Sequence, residues 1–152
     1  MAISTLEARG QILDDLAAAI DQIALAVASL GEAFELLYAG SADRLEVELF
    51  RPVQKAYARG QRTHTQFAER CGLAKRAFEL PSAGRPSQGA KAFVQRAVVA
   101  SGDADHRIGE LQDSMLPTEF GDPELRSGLS EVRELLDGVP SSARTFLRTL
   151  GR

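Results

Sequence analysis

The chain contains only two histidines and one cysteine, so few of its side chains can serve as bases, nucleophiles or metal ligands. His64 is the most informative of them, because it lies on an apolar seven-residue repeat, one helical turn after Gly60. Tyr57 and Phe67 belong to the same face, and the missing Gly60 side chain leaves room beside the imidazole. We therefore expect a candidate ligand site at Tyr57, Gly60, His64 and Phe67, where the ring would anchor a small molecule. In the alternative interpretation, Gly60 allows close contact between helices and His64 satisfies a neighbouring polar group.

A second set of candidate ligands lies in the predicted third helix. Asp103, His106 and Glu110 follow one another at spacings of three and four residues, which place them on one helical face. Carboxylate metal centres in helical bundles, however, draw two Glu-x-x-His pairs and further glutamates from several helices. The three side chains also lie opposite the apolar stripe that runs from Val94 to Met115, so they should point to solvent. We therefore expect no metal and no other cofactor.

Other catalytic signals are weak. The chain has no glycine-rich phosphate loop, nucleophile elbow, zinc-binding helix or calcium loop. Cys71 has no second cysteine with which to form a disulfide, and its place on an apolar stripe predicts a small buried residue at a helix end. These features favour a protein without chemistry of its own. The alternative is an enzymatic bundle with its pocket at His64.

Four basic residues at spacings of four, four and three share one side of the predicted second helix: Arg51, Lys55, Arg59 and Arg62. Clustered cations of this kind can track phosphates without reading a sequence, so a weak anion-binding or nucleic-acid face is a further hypothesis. A net charge of −3 and a pI near 5.4 argue against a protein devoted to nucleic acid. Asp21 of the first helix should also pair with Arg59 and Arg62 within the hairpin. We therefore do not expect nucleic acid as the main partner.

The first helix organises the predicted fold. Two apolar series recur in it every seven residues: Leu13, Ile20, Val27 and Phe34, then Leu16, Ile23, Leu30 and Leu37. This pattern is typical of a helix packed along its length against other helices. Ser4 and Glu7 have the spacing of a capping box, so the helix should run from about Thr5 to Ala39. Gly40-Ser41 then predicts a tight turn and an antiparallel hairpin.

The second helix should pair with the first along this hairpin. In that register three residues of the first helix lie opposite His64: Leu16, Ala17 and Ile20. Pro52 removes a backbone hydrogen bond inside the second helix, which predicts a kink near residues 48–52. Gly72 ends the helix. Residues 72–89 are rich in proline and glycine, so they should form an irregular linker.

Two further rods complete the predicted bundle. The third helix covers about residues 88–116, and Asp122 with Pro123 has the residue types that begin a fourth. Gly138 breaks that fourth helix before a short last segment. We therefore predict one domain over residues 1–152, an all-α antiparallel up-and-down four-helix bundle with a long first hairpin and a broken fourth helix, four to five helices in all.

The first helix carries more apolar surface than one hairpin seam needs. Leu25 and Leu36 lie away from its main stripe, so they are the candidate interface of a homodimer. We accordingly expect a non-enzymatic interaction or structural protein that self-associates through this helix. The N-terminus lacks a secretory signal, and the richest apolar run falls short of the ~18 residues that a membrane span needs. The excess of arginine over lysine, with abundant alanine, favours GC-rich bacterial coding, so a cytoplasmic bacterial protein without membrane contact is expected.

Overall fold

The computed structural model describes residues 3–150, and these residues form an all-α bundle of four rods. In chain order the elements are α1 (Thr5–Glu35), α2 (Ala39–Leu45), a π-helical turn (Glu46–Phe50), α3 (Arg51–Cys71), a 3-10 turn (Pro86–Gln88), α4 (Ala90–Asp113), α5 (Leu116–Glu119), α6 (Pro123–Asp137) and α7 (Val139–Leu150). The predicted class is therefore confirmed, with α6 and α7 as the broken fourth rod.

α1 begins where the capping signal predicts, but it ends four residues early. The Ser4 hydroxyl accepts a hydrogen bond from the Glu7 backbone N–H at 3.1 Å and so caps the first turn. The helix stops at Glu35, and the turn predicted at Gly40-Ser41 is wrong, because both residues lie inside α2. The chain is redirected instead at Tyr38, whose backbone is extended (φ −70°, ψ 157°). An ordinary extended residue makes this turn, so no glycine is needed there.

α2, the π-helical turn and α3 form one continuous second rod. Pro52 has no backbone N–H, so a carbonyl one turn earlier loses its usual helical partner. The helix widens there, and the Arg51 N–H donates to the Glu46 carbonyl, five residues earlier. An irregular helical turn therefore lies at the predicted place and has the form of a π turn, whereas the predicted kink stays a prediction. Gly72 takes the left-handed conformation (φ 68°) and ends α3 as predicted.

Neighbouring rods run antiparallel, and glycines mark two close crossings. α1 packs against α3 and α4, and α3 packs against α6. Gly60 of α3 lies against Ile20 of α1, so that a Cβ on Gly60 would be 3.1 Å from Ile20 Cγ1. Gly128 of α6 approaches α3 more closely still, since a Cβ there would be 2.2 Å from Thr63 Oγ1. The contact of α3 with α1 therefore depends on Gly60, and its contact with α6 depends on Gly128, because neither glycine has a side chain in the way.

The third rod runs in the same direction as the second. Arg70 at the end of α3 binds Asp122 just ahead of α6, and Arg9 at the start of α1 donates to the carbonyl of Phe120, two residues before Asp122. Asp15 of α1 shares a groove with Glu110 near the end of α4, so α3 and α4 both end near the start of α1. Residues 73–89, here called the crossover, must therefore run back along the length of the bundle from the end of α3 to the start of α4. α4 is about 36 Å long, whereas these residues would span only about 25 Å as a helix. The expected up-and-down order holds within each hairpin and changes at this irregular connection.

The middle of α1 is largely covered by the rest of the bundle. Every residue from Asp15 to Phe34 is buried or half-buried. α1 is long and apolar enough to be a possible membrane span. The count of its consecutive apolar residues predicted instead that this run is too short. In the bundle, 61% of its most apolar window is buried inside the protein, as in a core helix.

Replacement of Gly128 by alanine should lower the free energy of unfolding by about 1–3 kcal/mol, because the new Cβ would overlap Thr63 and push α3 and α6 apart. Gly102→Ala is the matched control. An added Cβ at this helical glycine meets no atom within 4 Å, so the variant should gain about 0.5–1 kcal/mol from helix propensity. Urea unfolding followed by circular dichroism measures both changes. Equal stability of the two variants would contradict the close crossing.

Candidate functional site

His64 is buried between α3, α1 and the crossover. Its side chain is only 3% exposed, and the ring of Phe78 packs edge-on against it with 5.2 Å between ring centroids. Its Nδ1 atom is buried and has no hydrogen-bond partner among the described residues. Buried polar atoms in folded proteins nearly always have a partner, from the protein, from water or from a ligand. Nδ1 is closed to solvent, so a molecule in an open cleft does not reach this nitrogen.

A cleft of about 290 Å³ opens beside His64. α1 forms one wall, and the start of the crossover forms the other. The lining residues are Gly10, Leu13, Asp14, Ala17, His64, Leu73, Ala74, Lys75 and Arg76. The volume lies just below the usual range for small-molecule sites, and the lining combines apolar surface with a few polar groups, as such sites do.

The crossover is held against the bundle at several points. The Arg76 guanidinium binds both carboxylate oxygens of Asp21, each at 3.0 Å, and lies 4.7 Å above the Phe78 ring. Further along, Ala83 is buried, and its carbonyl accepts a hydrogen bond from the Arg96 side chain. The irregular segment thus forms a fixed outer wall for the cleft.

Only one of the four predicted ligand-site residues lines this cleft. Ile20 fills the space beside Gly60, so the glycine serves close helix contact, as in the alternative interpretation. Phe67 is buried in the core at 1% exposure. Tyr57 is half-buried elsewhere on α3, where burial and then the charge of Asp21 raise the pKa of its hydroxyl. The cavity predicted around Gly60 is therefore wrong, and the space lies on the other side of His64.

The residues that sequence reasoning missed come from α1 and the crossover. Ala17 does lie across the cleft from His64, in agreement with the predicted register. Leu13 has a visible signal, since it belongs to the apolar repeat. Residues 73–76 carry no such signal, because nothing in an irregular segment indicates which groove it follows.

Burial lowers the pKa of the His64 imidazole below its ordinary value, and the positive charge of Arg76 lowers it further. A hydrogen bond between the ring and the backbone of Leu13, and then the negative charge of Asp14, raise the pKa, each with smaller effect than Arg76. The ring is therefore neutral at neutral pH. It thus adds no positive charge to the cleft.

One cation of the predicted basic face is paired with an acidic residue of α6. Arg59 binds the Glu131 carboxylate and donates to the Thr63 hydroxyl at 2.9 Å. The predicted pairing of Asp21 with Arg59 and Arg62 is wrong, because Asp21 binds Arg76 of the crossover instead.

The other three cations of that face are exposed: Arg51, Lys55 and Arg62. Arg59 holds the pKa of Glu131 below its usual value, with a smaller contribution from Arg62. Glu131 of α6 thus neutralises part of the positive charge of this face. Nucleic-acid binding stays a prediction without further support.

The acidic and histidine groups of α4 point outward. His106 Nε2 lies 2.5 Å from Glu110 Oε1, both side chains are more than two-thirds exposed, and Asp103 binds Arg107 at 2.7 Å. Over residues 3–150 no group of three histidine, cysteine or acidic side chains is placed to hold a metal ion. Cys71, at the end of α3, is half-buried, and burial raises the pKa of its thiol.

The two candidate interface residues have different surroundings. Leu25 is half-buried and packs against the core. Leu36, beyond the end of α1, is 40% exposed.

No protein-family model, no curated protein and no solved structure matches this chain.

The His64 ring should titrate below the usual histidine value of 6.5, because burial opposes its protonation. In a His106→Gln variant His64 is the only histidine of the chain, so its ring signals can be followed by NMR without ambiguity. Since the unfolded chain takes up this proton near pH 6.5 and the folded chain only at lower pH, the free energy of unfolding should fall as the pH drops below about 6.5. The fall should be smaller in His64→Gln. A midpoint at or above 6.5 would contradict the buried, neutral ring.

Proposed function

We propose that the protein is a helical-bundle binding protein without chemistry of its own, which holds a small molecule in the cleft between α1 and the crossover. The observation that carries this proposal is the cleft of about 290 Å³, in whose lining the side chain of His64 lies between apolar residues of α1 and the crossover. A neutral imidazole in such a position orients a ligand through a hydrogen bond, while the apolar walls bury the ligand's body.

The construction of the cleft supports this proposal. Its inner wall belongs to α1, and the packing of this helix against α3 and α4 fixes the backbone on that side. Its outer wall belongs to the crossover, which has no helix or strand over residues 73–85. Binding residues are often carried by irregular segments that a rigid scaffold positions, because such backbone adapts in shape and sequence.

A leucine at position 10 should abolish ligand binding and leave the fold intact. Gly10 lines the cleft, and an added Cβ there meets no atom within 4 Å, so the larger side chain can fill the cleft without clashing with the bundle. Gly102→Leu is the matched control, since this glycine of α4 is also open and is not part of the cleft lining. Circular dichroism should show unchanged helix content in both variants.

The binding measurement is a small-fragment screen of the full chain, read from backbone amide shifts in NMR spectra. Fragments should shift amides around His64 and residues 73–76 in the unmodified protein and in Gly102→Leu. They should not do so in Gly10→Leu. The proposal fails if no fragment shifts these amides, or if Gly10→Leu binds as well as the unmodified protein.

Self-association is a second candidate function, favoured by the exposure of Leu36. Tyr38 is 92% exposed and Val47 is 56% exposed, so within the described part of the chain three large apolar side chains between residues 36 and 47 are open to solvent. We call Leu36, Tyr38 and Val47 the turn-end surface. The middle of α1, including Leu25, is occupied by the protein's own elements. A second copy of the chain would therefore meet the turn-end surface rather than the apolar stripe of α1.

Tyr38→Arg should convert a dimer into a monomer, because it places a charge on the turn-end surface. Val99→Arg is the matched control, since Val99 is a 73% exposed apolar side chain on α4. Native mass spectrometry at micromolar concentration measures the assembly directly. A monomeric mass for the unmodified protein would remove self-association, and loss of the dimer in both variants would show that the surface has been misplaced.

A further inference from the structure

The part of the crossover that covers His64 is loosely held. We call residues 74–82 the strap. Phe78 is the only residue of the strap that is not exposed, and among the described residues no backbone–backbone hydrogen bond involves residues 74–82. α1 and α3, by contrast, are regular helices of 31 and 21 residues. The strap should therefore open at a lower cost in free energy than either helix.

Three side-chain contacts fix the strap to the bundle. Phe78 packs edge-on against the buried imidazole of His64. Arg76 pairs with Asp21 of α1, and Lys75 pairs with Glu69 of α3. Both ion pairs are exposed, so they stabilise the closed strap only weakly. Closure therefore depends chiefly on the packing of Phe78 against His64.

A proton on His64 would leave a buried N–H without an acceptor under the closed strap. The protonated imidazole carries a hydrogen on both of its nitrogens. Nδ1 is buried and has no hydrogen-bond partner among the described residues. Burial of an uncharged lone pair costs less than burial of a charged N–H group without an acceptor. Protonation therefore favours an arrangement in which water reaches the ring.

The two walls beside the ring act on its charge in opposite directions. The titratable and charged residues of the strap and of the surfaces around it are Asp14 and Asp21 of α1, Tyr57 and Glu69 of α3, and Lys75, Arg76 and Glu79 of the strap. Burial lowers the pKa of the ring most, and Arg76 of the strap lowers it further, whereas Leu13 and Asp14 of α1 raise it. A protonated ring is thus repelled by the strap and stabilised by α1. The strap is therefore the element that should move.

We propose that the strap is a pH-sensitive cover of the bundle, which is released from α1 and α3 when His64 takes up a proton while the helices stay folded. Release would bring water to the ring and expose the side chains of Phe78 and Leu13. The inference goes beyond the proposed function, since it holds whether or not the cleft contains a ligand. Because release takes up one proton, the equilibrium constant for closure should fall up to about tenfold for each pH unit below about 6.5.

The test follows the ring and the strap in one NMR titration of the full chain. In His106→Gln, His64 is the only histidine, so its ring signals report its protonation between about pH 7.5 and about pH 4.5. Backbone order parameters of the strap should fall from about 0.85 to less than about 0.6 as the ring is protonated. Those of α3 and the circular dichroism of the chain should stay unchanged. The two changes should share one midpoint, because they are coupled.

His64→Gln is the matched variant, since it keeps His106 and every carboxylate of the chain. Its glutamine takes up no proton, so the order parameters of its strap should not change with pH. Loosening that carboxylate protonation causes would appear in this variant as well. Should the glutamine itself loosen the strap at neutral pH, the shared midpoint in His106→Gln decides the question alone.

Three results would overturn the inference. The first is a ring that takes up its proton while the order parameters of the strap stay unchanged or change with a different midpoint. The second is a strap that loosens equally with pH in His64→Gln. The third is a loss of helix content at the same pH as the loosening, since the transition would then be unfolding of the whole bundle.

Discussion

The burial of α1 is the constraint on which the rest of the structure depends. From Asp15 to Phe34 this helix has no exposed residue, so apolar partners must meet it from several directions. α3 and α4 cover two sides, and the crossover lies along the groove between α1 and α3. The crossover therefore covers part of the core in addition to linking two helices, as the buried side chain of Ala83 shows.

Covering a helix with an irregular segment has a consequence for binding. Two helices in contact interdigitate their side chains along a seam, whereas a segment without regular periodicity leaves gaps against the helices beneath it. The cleft beside His64 is such a gap. The same arrangement packs Phe78 against the imidazole, and burial together with the charge of Arg76 lowers the pKa of the ring and keeps it neutral.

The glycines of α3 and α6 show how local spacing can mislead. Gly60 stands one turn from His64, which suggested a cavity, yet Ile20 of α1 occupies that space. No sequence pattern marks Gly128 as a packing position, although it makes the closer helix contact, against Thr63. A missing side chain either opens a cavity or admits a neighbour, and which of the two occurs depends on the element packed opposite.

The sequence alone determined the helical class, the cap at Ser4, the interruption near Pro52 and the left-handed end at Gly72. These features arise from interactions within one or two helical turns, so residue types at short spacing reveal them. Only the tertiary structure decided that Asp21 pairs with Arg76, that Arg59 pairs with Glu131, and that the cleft lies between α1 and the crossover. The partners are 55 positions apart in the first ion pair and 72 positions apart in the second. Such contacts depend on the path of the irregular crossover and on the direction of α4, and no local periodicity in the sequence encodes either.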